Sequence, residues 1–483
     1  MKKIAIVGAG IAGLSAGCYA QMYGFETEIF ELHNNPGGLC TSWKRKDYTI
    51  DGCIHHLPGA SPSSKLHTMW KELDAIEDGR MLFDSILRRT IDTGGNELNF
   101  YTDLGRLKEH LMEISPTDRE VIDQYLTAAQ KFTKFELLAM VGGKGKDKLS
   151  MIPHLPKIMK WGPVSLEQFA SRFKNSFLQK AFPTAQYDFQ GIPMMIHLSF
   201  LAGCSIKSMG WPVGGSLAFS KRIVKRYEEL GGKIHYRSRV KSIAVKNDRA
   251  VGLTLEDRTK ANADIVVSAA DGYSTIYDML NGKYKDDLID EYYANPPDEQ
   301  EMNAYVSLGV NLPLNDLPHG VTWLMDEKLE LSDRCYQKMD LEVFNSKTEM
   351  VPEGKSVVRI PFTASYSYWK KLSNDRELYV DQKGEIAEKV IERLDGLISG
   401  IKEKVEVVDV STPITTERFT GNFHGMQVWT PRSKPGRIMS KGLSKTLPEL
   451  RDFYMVGQWA QGLIGIATAA VQGKKLVQKL KKR

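Results

Sequence analysis

His55 and His56 are the only adjacent histidines in the chain, and they follow directly on Asp51-Gly52-Cys53-Ile54. Imidazole titrates near neutral pH, so either ring could give a proton to a substrate or take one from it. The other role open to them is a hydrogen-bonded histidine packed beneath a bound group. Cys53 would act as a nucleophile or a covalent anchor only if its thiol were activated, and no neighbour in the sequence marks it so.

A glycine pattern stands upstream. The apolar run Ile4-Ala5-Ile6-Val7 leads into Gly8-Ala9-Gly10-Ile11-Ala12-Gly13, a helical stretch follows, and a second strand ends in Thr27-Glu28-Ile29-Phe30-Glu31. Gly8 allows a tight turn out of the strand. Gly10 lets backbone approach a pyrophosphate, and Gly13 lets the helix pack closely on the strand. The phosphates then rest on the free N–H groups at the start of that helix. Glu31, about 20 residues on, is placed to accept from a ribose hydroxyl pair and disfavours a 2′-phosphate, which argues against NADP. A second glycine element, Pro36-Gly37-Gly38, comes five residues after Glu31.

The elements that must position these residues fall into five stretches. Residues 1–104 begin one nucleotide-binding unit, and 105–209 read as a mostly helical insertion. Residues 210–290 open on Trp211-Pro212-Val213-Gly214-Gly215, with a helix carrying Leu217, Val224, Tyr227 and Leu230 that Gly231-Gly232 stops. Short strands follow over 233–236, 240–245, 250–255 and 264–268. Residues 291–411 show strands at 305–310, 356–361 and 405–410, and an amphipathic helix around 384–402. Residues 412–483 close with a strand at 453–456, Gly457, and a helix presenting Ile466, Ala470, Gly473, Val477 and Leu480 on one face.

Taken together, these motifs resemble the FAD-dependent phytoene desaturase superfamily, which includes carotenoid desaturases, carotenoid isomerases and retinol saturases. The likeness runs through nearly the whole chain, although the two insertions share only their placement. It implies an α/β fold: a Rossmann-like FAD-binding domain of the glutathione-reductase type, interrupted by a mixed α+β substrate domain. By that resemblance Gly8, Gly10, Ile11, Ala12 and Gly13 hold the FAD pyrophosphate and Glu31 the adenosine ribose. Gly37, Gly38 and Leu39 lie along the ribityl–diphosphate stretch, the Val240 backbone meets the adenine, and Ala269 of Ala269-Ala270-Asp271 closes over the cofactor. Gly457 and Gln458, with Gly465 and Ile466, bring a helix N-terminus to the flavin end, where it stabilises negative charge. Two departures mark this chain. Leu463 and Ile464 stand where the family has glycines, and no basic residue follows Pro36-Gly37-Gly38. The Asp51–His56 stretch is similar to one in retinol-saturase-like members, with Cys53 where glycine is expected, and it makes His55 or His56 the candidate acid in alkene reduction.

Composition narrows the classes. The chain has 483 residues, 42% hydrophobic and 26% charged, as in soluble globular proteins of two or three domains. Its five cysteines are scattered and contain no CxxC, which argues against a disulfide framework and a zinc site and fits a reducing cytosol. No metal site and no nucleic-acid partner are expected. The nucleotide-binding strand begins at once, leaving no room for a signal peptide, and no apolar stretch is long enough to span a bilayer. The methionines at 151–159, 194–195 and 209 either line an apolar channel or belong to the core. The segment 153–161 and the basic C-terminus are candidates for peripheral membrane contact.

The leading expectation is therefore a flavoenzyme acting on carbon–carbon bonds of an apolar isoprenoid-like lipid by desaturation, saturation or isomerisation, its electron partner unassigned. A flavin amine oxidase or protoporphyrinogen oxidase is the alternative. A lipid-binding escort of the Rab GDP-dissociation-inhibitor type is a third, against which the intact glycine pattern and Glu31 speak.

Overall fold

The computed structural model describes residues 1–135, 152–186, 191–294, 302–426, 443–460 and 465–482. Alternation in the first strand, Lys3–Val7, sets the layering. Ile4 and Ile6 enter the core on one side, Ala5 and Val7 that on the other. Five parallel strands make this sheet, in the order Lys233–His235, Glu26–Phe30, Lys3–Val7, Ile265–Ser268 and Phe453–Met455. Helices Ile11–Met22, Gly215–Glu229 and Ile466–Leu480 share the first core through Leu14, Tyr227 and Val477. An antiparallel meander, Val240–Lys246, Arg249–Leu255 and Lys260–Asn262, covers the second face with Val240, Ile243 and Leu253. Strands from three distant parts of the chain thus build one Rossmann-like sheet, and its carboxyl ends are where such folds bind ligands.

A second sheet has seven strands, ordered Val405–Ser411, Met302–Val310, Ser356–Ala364, Arg334–Asn345, Gly320–Leu331, Ile86–Ile91 and Glu97–Tyr101. Ile86–Ile91 runs parallel to Gly320–Leu331, with Val321 opposite Arg89; its other pairings are antiparallel. The expected boundary at residue 104 is therefore corrected. The first unit ends before Ile86, because Leu87, Leu98 and Phe100 bury against the helices of 104–205 and not against the parallel sheet.

Two further expectations change. The long helix runs Arg376–Asp395, earlier than 384–402, because the Asp375 carboxylate caps it by accepting from the N–H groups of Glu377 and Leu378. Strands Gly320–Leu331 and Arg334–Asn345 form a hairpin that the sequence reading missed; its outer end is half exposed and carries charged residues. In helix Leu155–Trp161, Trp161 is buried while Met159 is 75% exposed, and Ile152 just ahead of it is 56% exposed. Among the described residues no helix is long and apolar enough to cross a membrane, and no cluster of side chains is suited to a metal ion.

Candidate functional site

The glycine fingerprint folds as its spacing requires. Gly8 takes φ +93° and donates its N–H to Phe30 O at 2.9 Å, which turns the chain between two strands. A Cβ on Gly13 would lie 2.1 Å from Gly8 O, so the helix sits on the turn at backbone distance. A Cβ on Gly10 would meet only Gly37 O, at 3.9 Å, so that side of Gly10 is open space. Gly37 donates its N–H to Ala9 O at 2.8 Å, bringing the second glycine element directly against the first. Glu31 is 5% exposed and accepts from the N–H groups of Ala9 at 2.7 Å and His33 at 2.9 Å. Burial pushes its carboxyl up, and the N–H groups of His33, Ala9 and Leu32 pull against that rise.

These residues open on one cavity of about 790 Å³, within the range of small-molecule and cofactor sites. Gly8, Gly10, Ile11, Ala12 and Glu31 line it at one end, with Gly37, Gly38 and Leu39 beside them. Val240 and Ala269 come from the second chain segment, and Gly457, Gln458, Gly465 and Ile466 from the third. Gly13 does not reach it; its part is the packing of helix on strand. Leu463 and Ile464 lie outside the described residues.

Three observations test whether a dinucleotide fits. Helices Ile11–Met22 and Ile466–Leu480 both begin on a glycine with no side-chain cap, so their first N–H groups are left for a ligand on the shared cavity. The Gly10 side offers the space a phosphate needs. Thr468 also lines the cavity, and its buried hydroxyl has no protein partner among the described residues. Two helix N-termini that open on one cavity suit a dinucleotide well.

Farther along, the cavity reaches both histidines, whose contacts diverge. His55 Nδ1 lies 2.5 Å from Glu342 Oε1, and Glu342 Oε2 accepts from Arg359 Nε. Glu342 and Arg359 stand opposite one another on neighbouring strands, and each is 1% exposed. Arg359 Nη1 donates in turn to Asp51 O. Burial alone would push the Glu342 carboxyl up, but Arg359 and His55 hold it well below the usual carboxylate range. A carboxylate on Nδ1 fixes the imidazole tautomer and leaves proton exchange to Nε2. His56 turns the other way: its Nε2 lies 3.2 Å from Asp84 Oδ2, and its ring meets Phe200 edge-on at 4.9 Å.

Asp51 holds this segment in place. Its carboxylate accepts from the N–H of Ser216 at 2.5 Å, Ser216 Oγ at 2.7 Å and the N–H of Cys53 at 3.0 Å. A Cβ on Gly215 would come within 2.4 Å of Asp51 Oδ2, which accounts for the second glycine of Trp211-Pro212-Val213-Gly214-Gly215. The Trp211 indole donates to Ile54 O at 2.9 Å.

Sequence reasoning missed Glu342, Arg359, Asp84 and His319, all brought to the histidines by the seven-stranded sheet or the approach to it. A lone Glu or Arg in a strand carries no local signal; only register pairs them. The far wall is apolar, with Leu87, Phe132, Phe135, Ile192, Ile196 and Phe200. Of the methionines, Met209 lines the cavity, Met194 is buried in the helical core and Met159 faces outward.

The comparisons with known proteins bear on this arrangement. A family model described as an NAD(P)-binding Rossmann-like domain matches residues 6–73. A prolycopene isomerase of an Oncidium hybrid cultivar is 22% identical over 489 residues, covering 96% of this chain and 82% of that protein. A lycopene-forming phytoene desaturase of Pseudescherichia vulneris is 25% identical over 347 residues, covering 70% of this chain and 69% of its own. The all-trans-retinol 13,14-reductase of Danio rerio is 21% identical over 533 residues, covering 96% and 84%. Among solved structures, an oxidoreductase from Methanosarcina mazei superposes with a TM-score of 0.64 at 17% identity, covering 99% of this chain and 100% of that one, and shows the same fold. With relatives of three activities aligned across most of its length, the chain is similar to phytoene desaturases, prolycopene isomerases and a retinol reductase, and it is an oxidoreductase.

Proposed function

We propose that this protein binds FAD and acts on carbon–carbon double bonds of an apolar, isoprenoid-like substrate. The observation that carries the reading is the continuity of the cavity. It takes in the glycine turns at Gly8 and Gly37, His55 and His56, and a wall of Leu87, Phe132, Phe135, Ile192, Ile196 and Phe200. FAD, when bound, supplies hydride exchange with a substrate carbon. Gly8, Gly10, Ile11 and Ala12 would seat its phosphates, Glu31 its ribose, and the Val240 backbone its adenine. The start of helix Ile466–Leu480, with the Thr468 hydroxyl, would face the other end. His55 holds the exchangeable proton at Nε2, oriented by Glu342 through Nδ1. The apolar wall positions a polyene and excludes water from the reacting carbons.

The test is turnover. Protein loaded with FAD, in separate oxidised and dithionite-reduced samples, is incubated anaerobically with acyclic carotenoids and with retinol, and products are resolved by chromatography and mass. A product differing by two hydrogens, or a changed cis–trans isomer at equal mass, supports the reading. Peroxide release in a parallel aerobic incubation with amines, with no change in any polyene, would replace it with an amine oxidase.

A further inference from the structure

Two of the five cysteines, at the two ends of one hairpin, line the same cavity. The hairpin Ser42–Arg45/Tyr48–Asp51 pairs Ser42 with Asp51, and Gly52 extends the pairing by donating to Thr41 O at 3.0 Å. Cys40 and Cys53 are the next residues beyond this Thr41–Gly52 bond. Directly opposed residues carry Cβ atoms about 4.5–5.5 Å apart, close to the roughly 3.5–4.5 Å of a disulfide. Both line the cavity, Cys40 buried and Cys53 half-buried, and the Cys40 thiol donates to Ser216 O at 3.7 Å.

We propose that Cys40 and Cys53 form a redox-active dithiol that closes to an intramolecular disulfide in the wall of the cavity. Cys53, the more accessible, is the attacking sulfur. The neighbouring Cys40 thiol holds the Cys53 thiol below its ordinary value against the opposing effect of burial, whereas burial and the neighbouring Cys53 push Cys40 up. The oxidant is a low-molecular-weight disulfide. The Cys53 thiolate attacks one of its sulfurs, forming a mixed disulfide and releasing one small thiol. Cys40 then attacks the Cys53 sulfur, closes the bridge and releases the second small thiol. Two cysteine protons leave with the two small thiols, and two electrons pass from the protein to the oxidant. The bridge ties the Pro36–Leu39 loop to the segment leading to His55, so its redox state acts on the cradle and on the histidine together. This inference rests on position in the fold and stands apart from substrate identity.

The experiment uses the full-length protein, fully reduced and then equilibrated with oxidised glutathione. Lys44, Arg45 and Lys46 lie between the two cysteines, so trypsin separates their peptides unless a bridge joins them. The expected result is loss of two titratable thiols and one linked peptide pair holding Cys40 and Cys53, reversed by dithiothreitol. In Cys40→Ser, Cys53 retains one glutathione as a stable adduct. The proposal is overturned if both peptides stay separate with free thiols in the folded wild-type protein, or if the linked pair involves Cys18, Cys204 or Cys335 instead. Because wild-type mapping decides the matter, misfolding of a variant cannot mask the outcome.

Discussion

His55 is defined by what lies behind it. A buried carboxylate beside an imidazole would be a costly isolated charge, and Arg359 makes it tolerable by pairing with Glu342 across two strands. If His55 exchanges the proton, His55→Ala lowers kcat by about 10²–10⁴-fold, while Glu342→Gln lowers it by roughly 10–100-fold by losing orientation. The double variant is then no slower than His55→Ala alone, and all three retain FAD. Additive losses in the double variant would show that Glu342 acts independently of His55. Asp271 gives a second prediction at this scale. Burial pushes its carboxyl up to about 6, against the hydrogen bonds of Ser274. A raised folded-state value means that its contribution to stability is whole below about pH 3.9 and is lost as pH rises through 6. Asp271→Asn therefore stabilises the cofactor-free protein at pH 7 by about 3 kcal/mol and leaves it unchanged near pH 4. Thermal unfolding at the two pH values checks this; equal shifts at both would contradict it.

The two glycines at the start of helix Ile11–Met22 separate packing from binding. Gly13→Ala forces a Cβ against Gly8 O, and about 1–3 kcal/mol of destabilisation follows. Gly10→Ala meets no close atom and keeps an ordinary φ of −69°, so stability stays within about 0.5 kcal/mol of the wild type. Its methyl group fills phosphate space, and FAD binding weakens by roughly ten- to a hundredfold. Calorimetry paired with a flavin fluorescence titration distinguishes the two; a Gly10→Ala protein with unchanged affinity would count against the phosphate assignment. These elements were legible in the sequence because each part of the signal is local: an apolar strand, glycines at fixed offsets, a helix and an acid. The seven-stranded sheet was legible only in part: strands at 305–310, 356–361 and 405–410 were read, but neither the other four nor their order. Its strands come from widely separated stretches, and Gly320–Leu331 and Arg334–Asn345 mix buried and exposed positions too irregularly for a clear period of two. Glu342 and Arg359 stayed hidden for the same reason, since a cross-strand pair exists only once register is known. The Cys40–Cys53 approach follows from a four-residue hairpin register that composition could not supply.

At the scale of the molecule, two sheets with different tasks share one cavity. The parallel sheet delivers backbone and glycine turns from three chain segments, and the seven-stranded sheet delivers the carboxylate, guanidinium and histidine contacts beside the apolar wall. Neither sheet alone encloses the site, which is why the chain interrupts its nucleotide-binding unit twice. The claim on which everything else depends is that FAD occupies the cradle formed by those three segments. The most direct measurement is the absorbance spectrum of the purified protein after incubation with FAD and removal of free cofactor, taken for the wild type and for Gly10→Ala side by side. The account predicts a bound-flavin spectrum at one FAD per wild-type chain and a markedly lower occupancy in Gly10→Ala. A wild-type protein that remains colourless while correctly folded would contradict it.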